Sequence, residues 1–127
     1  MSTQARPLDG LKVVELGTLI AGPFAARILA EFGAEVIKVE SPDGGDPLRK
    51  WRLLYEGTSL WWFVQARNKK SLTLNLKHPD AIVVLKKLLA DADVLVENFR
   101  PGVLDKLGLP DAVLKDINPS LVIVRLS

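Results

Sequence analysis

Four cations, Arg67, Lys69, Lys70 and Lys77, flank one short stretch of alternating polar and apolar residues. Cations clustered in this way suit a polyanion such as a nucleotide diphosphate, and they suit plain solvated surface too. Asn98-Phe99-Arg100, further along, adds an amide, an aromatic face and a guanidinium. Gly17 and Gly22 have the span of a phosphate loop, but Pro23 and Phe24 stand where that loop needs Lys and Ser or Thr. The same stretch also fails G-x-G-x-x-G, although Glu40 occupies the place of the acidic ribose ligand of dinucleotide folds. A tight turn leading into a helix N-terminus can bind a phosphate, or it can serve packing alone. The one histidine, His78, precedes Pro79 and reads as the exposed flank of a helix. With no cysteine, disulfides, thiol nucleophiles and thiolate metal sites are excluded, and Ser-His or Cys-His catalysis has little support.

The elements that position these groups follow from periodicity and punctuation. Leu11–Leu16 is a Val-rich run that predicts a strand, and Gly17, Gly22 and Pro23 break it. Phe24, Ala25, Ile28, Leu29 and Phe32 then recur at helical spacing from Pro23, and Gly33 suits the residue that ends a helix. Val36, Ile37 and Val39 predict a second strand. So close a strand–helix–strand should be a right-handed parallel unit. Ligands of such sheets lie beyond the carboxyl ends of the strands, which marks Gly17–Pro23 and Glu40–Asp46 as the working edge.

Residues 41–47 are turn-rich, and 48–62 read as irregular, with a short helix near 59–65. Ser71–Leu76 alternates as a strand does, and Pro79–Asp91 carries a helical stripe of Ile82, Leu85, Leu88 and Leu89. Val94–Glu97 predicts a buried strand, 102–107 and 110–117 two short helices, and Leu121–Leu126 a last strand. Strand and helix alternate throughout, so the class is α/β with a mostly parallel sheet. Residues 1–127 form one domain, with 1–6 expected as a flexible tail and no second domain. Nothing follows the last strand to cover one of its faces, so the sequence looks cut short.

Hydrophobic residues make up 48% of the chain and mean hydropathy is +0.18, yet charges interrupt every apolar run well before a membrane span. The first ten residues lack the apolar centre of a secretory signal, so a cytoplasmic location is expected. The net charge of +2 does not point to nucleic acid. Composition and spacing alone therefore reach an α/β domain binding an anionic, nucleotide-like ligand.

Several stretches in order carry a resemblance: Leu8-Asp-Gly-Leu-Lys-Val-Val-Glu-Leu16, Ala21-Gly-Pro-Phe24, Phe32-Gly-Ala-Glu-Val-Ile-Lys-Val-Glu40 and Gly45-Asp46. Asn68-Lys-Lys-Ser-Leu-Thr-Leu-Asn-Leu-Lys77, Ala92-Asp-Val-Leu-Val-Glu-Asn-Phe-Arg-Pro-Gly102 and Ile117-Asn-Pro119 continue it. Together they resemble the amino-terminal portion of the family III CoA-transferases, the group of formyl-CoA transferase and carnitine CoA-transferase. The resemblance implies a partial doubly wound, Rossmann-like sheet and transfer of coenzyme A from an acyl-CoA donor to a carboxylic acid. Coenzyme A and acyl-CoA would be substrates, with no covalently bound cofactor, and full-length relatives are interlocked homodimers. By the same resemblance, Leu19, Ile20, Ala21, Leu74, Lys77, Asn98, Phe99, Arg100 and Lys106 would contact CoA, Lys106 standing where Arg is frequent. Ser41 departs from members with a basic residue there. The aspartate that is the family's nucleophile, and its glycine-rich segment, would lie beyond Ser127, and Asp46, Asp93 and Glu97 read as turn or strand-end residues, not as substitutes. Residues 1–127 would then be inactive alone. A stand-alone CoA- or nucleotide-binding module, an inactive remnant and a dinucleotide-binding enzyme domain are the alternatives.

Overall fold

The Val-rich run after Leu11 forms β1 (Lys12–Glu15), the middle strand of a parallel sheet, in a computed structural model that describes residues 4–127. α1 (Ala21–Glu31) leads to β2 (Glu35–Glu40), and a 3-10 turn (Pro47–Lys50) to a small hairpin of β3 (Leu54–Tyr55) and β4 (Thr58–Ser59). α2 (Leu60–Gln65), β5 (Lys69–Thr73), α3 (Pro79–Ala90) and β6 (Val94–Glu97) follow. α4 (Val103–Lys106), α5 (Asp111–Ile117) and β7 (Val122–Arg125) complete the chain. The order in the sheet is β5-β2-β1-β6-β7 and every pairing is parallel, with Val13 opposite both Val36 and Val94.

Alternation along the strands makes two cores. On one face Val13, Val36, Val94 and Val96 meet Ala26 and Ala30 of α1. Small residues on that helix let it lie close to the sheet. On the other face Val14, Leu16, Val39 and Leu95 meet Leu85 and Leu89 of α3, with Leu104, Leu109 and Leu114 beside them. β7 is an edge strand; Val122 remains exposed, while Ile123 packs on one core and Val124 on the other. Among the described residues no helix is long and apolar enough to cross a membrane.

Three local expectations are corrected. The strand read at Ser71–Leu76 is Lys69–Thr73; Leu74 and Leu76 still pack on the core, but beyond the ladder, where only Leu74 N–H reaches Glu40 O at 2.9 Å. The first helix starts at Ala21, not Pro23, because a proline is tolerated anywhere in the first turn, whose N–H groups lack helical partners. The stretch read as irregular contains the hairpin and its preceding turn, each too short to show a period. Of the expected tail, Met1–Thr3 lie outside the described residues, and Arg6 N–H donates to Asp9 Oδ2 at 2.7 Å.

Candidate functional site

The turn between β1 and α1 is held by side chains from other strand ends. Asn98, just past β6, accepts from Thr18 N–H at 2.8 Å and donates to Thr18 O at 3.0 Å. Gly17 and Gly22 leave room for it: a Cβ on Gly17 would lie 2.8 Å from Asn98 Oδ1 and 2.9 Å from Gly22 Cα. β1 and β6 are the strands at which the sheet order reverses, where open sheets commonly take ligands. Here Asn98 stands in that crevice, with open space on both the β2 side and the β7 side of it. Leu19 has φ 61°, a left-handed conformation unfavourable for a residue with a Cβ.

Beneath the turn lies a buried group of four charges. Glu15, Lys38 and Asp46 are each no more than 3% exposed. Lys38 Nζ donates to Glu15 Oε1 at 2.8 Å and to Gly17 O at 2.7 Å, and lies 2.8 Å from Asp46 Oδ2. Lys69 Nζ lies 2.8 Å from Glu15 Oε2 and donates to Pro23 O. Two acids and two bases leave the group neutral, the condition on which charge can be buried. Burial pushes the Lys69 amine below its ordinary value, with the Glu15 carboxylate opposing that shift. Asp46 Oδ1 also accepts from Leu19 N–H and Leu48 N–H, at 3.0 and 2.9 Å.

A cavity of about 380 Å³ opens above this group at the carboxyl ends of β1, β2 and β5. Gly17, Thr18, residues 38–41, Asp43 and Gly45–Pro47 form one wall, Leu74–Lys77 another, and Phe99 a third. Glu40 faces it with both oxygens held by Arg49, Nε at 2.8 Å and Nη2 at 3.1 Å, and the Arg49 guanidinium stacks 3.9 Å over Trp62. A carboxylate engaged in this way is poorly disposed to a ribose, which weakens the dinucleotide alternative and leaves it only the strand–helix–strand start. Lys77 stands exposed on the rim and joins none of the ion pairs among the described residues.

The working edge expected at Gly17–Pro23 and Glu40–Asp46 thus carries a cavity, while a cavity of about 600 Å³ lies at the opposite, amino end of the strands beside Arg6, Lys12, Glu35 and Lys70. Of the site residues, Leu74, Lys77 and Phe99 line the carboxyl-edge cavity; Asn98 grips its turn; Leu19, Ile20 and Ala21 continue that turn into α1. Arg100 lines a neighbouring cavity with Phe99, and Lys106, exposed on α4, lines neither. The cation cluster does not converge. Lys69 is buried in the charge group, while Lys70 pairs with Glu35 at 3.1 Å and Arg67 with Glu31 at 3.5 Å, at the amino end of β5, away from Lys77. Glu15 and Lys38 went unread because charged residues in a strand look outward-facing; their signal is opposite charge in register on adjacent strands, Glu15 beside Lys38.

Comparison with known proteins bears on this site. A family model described as CoA-transferase family III matches residues 8–127. Succinyl-CoA–D-citramalate CoA-transferase of Chloroflexus aurantiacus is 51% identical over 130 residues, covering 100% of this chain and 32% of its own length. Human succinyl-CoA:glutarate CoA-transferase is 42% identical, covering 92% of this chain and 27% of its own length. Among solved structures, a CAIB/BAIF family protein from Brucella suis superposes with a TM-score of 0.88 at 42% identity, over 96% of this chain and 33% of that one. The chain therefore spans about a third of the length of the relatives it matches.

Proposed function

We propose, from the premise that this chain belongs to CoA-transferase family III, that the cavity at its carboxyl edge receives coenzyme A in the transfer of CoA from an acyl-CoA to a carboxylic acid. The observation that carries this reading is the cavity itself: Lys77 is an unpaired cation on its rim, and Phe99 and Leu74 are apolar walls. A CoA thioester brings anionic phosphates, a flat base and a long, mostly neutral arm, and the cavity offers a partner for the first two. Leu19, Ile20, Ala21 and Asn98 shape the turn beside it; Arg100 and Lys106 lie beyond Phe99, outside the cavity.

The two curated relatives both take succinyl-CoA by name, which supports a succinyl-CoA donor here. Their acceptors differ, so the acceptor is left as a carboxylic acid. Transfer by this family's chemistry needs a carboxylate that attacks the thioester and splits one hard step into two easier ones. Glu15, Glu40, Asp46 and Glu97 are all held by cations or backbone N–H groups, which disfavours each of them for that attack. In this reading residues 1–127 bind CoA without turning it over. A homodimer, which the family resemblance implies, belongs to the same reading.

Titration calorimetry of residues 1–127 with CoA tests it. Exposed charge pairs contribute only ~0–1 kcal/mol each and are screened by salt, so the expected result is weak binding that falls as salt rises and falls again in Lys77→Ala. Equal heats from wild type and Lys77→Ala, or none at millimolar CoA, would overturn it.

A further inference from the structure

We infer that Asp46 is a positioning residue for the ligand turn: it fixes Leu19 in its left-handed form and is itself fixed by Lys38. This rests on the CoA reading of the cavity above. A left-handed residue with a Cβ costs roughly 1–2 kcal/mol, and such strain persists only where the surroundings over-determine it. A turn needed merely to join β1 to α1 would be met by glycine at position 19 without strain. Instead, successive backbone groups are each gripped by a distant side chain. Lys38 takes Gly17 O at 2.7 Å, Asn98 takes Thr18 N–H and O, and Asp46 takes Leu19 N–H at 3.0 Å.

Asp46 is the joint of this arrangement. Its Oδ1 is shared by Leu19 N–H and Leu48 N–H, so one atom ties the β1–α1 turn to the start of the 3-10 turn. Its Oδ2 lies 2.8 Å from Lys38 Nζ, at charge-pair geometry and without a hydrogen bond. Thr18 and Asp46 line the same wall of the cavity, so this carboxylate ties two segments of that wall together. A ligand then meets a turn already in place and need not order it on binding.

The test uses residues 1–127, nitrogen- and carbon-labelled, as wild type, Asp46→Asn and Asp46→Ala. Wild-type spectra come first: Leu19 should show left-handed Cα and Cβ shifts and an amide protected from exchange. Asp46→Asn keeps an acceptor at Oδ1 but sets an amide NH2 against Lys38 Nζ, so it should keep the left-handed shifts with weaker amide protection. Asp46→Ala should lose both signatures, and its CoA affinity should drop about tenfold, the equivalent of the released strain. Ordinary Leu19 shifts in wild type, or an Asp46→Ala protein with Leu19 shifts and CoA affinity unchanged, would overturn the inference. Should Asp46→Ala fail to fold, wild type and Asp46→Asn still decide it. Absence of CoA binding by wild type counts against the proposed function alone, because the Leu19 spectra judge the positioning role without ligand.

Discussion

Asn98 clasps Thr18 from both sides, accepting from its N–H at 2.8 Å and donating to its C=O at 3.0 Å across 80 residues of sequence. Both ends of the amide bond the backbone, so its first role is to set the shape of the turn. Asn98→Ala leaves both Thr18 groups without their partner, which costs about 1–3 kcal/mol where water cannot replace it. Denaturant titration should show that loss whether or not CoA is present.

Gly22 offers a test of how tightly this junction is packed. Alanine is the better helix former by about 1 kcal/mol, which would favour Gly22→Ala in α1. Against this, the new Cβ would sit 2.9 Å from Gly17 Cα and 3.0 Å from Asn98 Oδ1, and backbone cannot swing away. Overpacking of this kind costs roughly 1–3 kcal/mol, so a net fall in unfolding free energy is expected.

Lys69 and Lys77, cations on the same segment, should give opposite results. Lys69→Met leaves Glu15 Oε2 without its cation in a buried site, at a cost of about 3 kcal/mol, while Lys77→Ala should stay within about 0.5 kcal/mol of wild type. CoA affinity should fall in Lys77→Ala.

The pH dependence of stability should report Lys69 as well. Its folded value lies below the ordinary 10.5 because burial disfavours the charged amine. Between those two values the unfolded chain holds more protons than the folded one, so the Lys69 contribution to stability rises with pH across that window. Denaturation midpoints of wild type should climb relative to Lys69→Met as pH approaches 10.5.

Arg49 pairs with Glu40 through two nitrogens and stacks on Trp62. Arg49→Ala should cost about 3 kcal/mol, the low end for stranding a buried charge, since Arg49 itself keeps 33% side-chain exposure. Arg49→Lys should recover only part, because a point charge reproduces neither the fork nor the stack. Thermal or denaturant unfolding of both variants checks the ranking.

Much of the sheet was legible because apolar runs and Gly or Pro punctuation are local properties. β1, β2, β6 and β7 fall where Val- and Ile-rich runs predict them, and α3 buries Leu85 and Leu89 of its expected stripe. β5 starts earlier than alternation predicts because Lys69, a member of the cation cluster by sequence, points inward, its amine satisfied by Glu15 from another strand. The edge that carries the cavity was legible from strand polarity. What could not be read was which side chains serve the backbone: Asn98, Lys38 and Asp46 hold Thr18, Gly17 and Leu19 across spans with no periodicity.

The sheet order also sets a schedule for making the protein. β1 is the central strand; β2 follows it closely in the chain, but β6, its other partner, comes much later, with Val13 opposite Val36 and Val94. A ribosome adding about 5–20 residues per second needs roughly 4–16 s to make the 80 residues that separate Thr18 from Asn98. Throughout that interval one edge of β1 exposes its N–H and C=O groups, a template for pairing with a neighbouring nascent chain. Slow codons between those positions lengthen the wait, so synonymous changes there should alter soluble yield without altering a single residue.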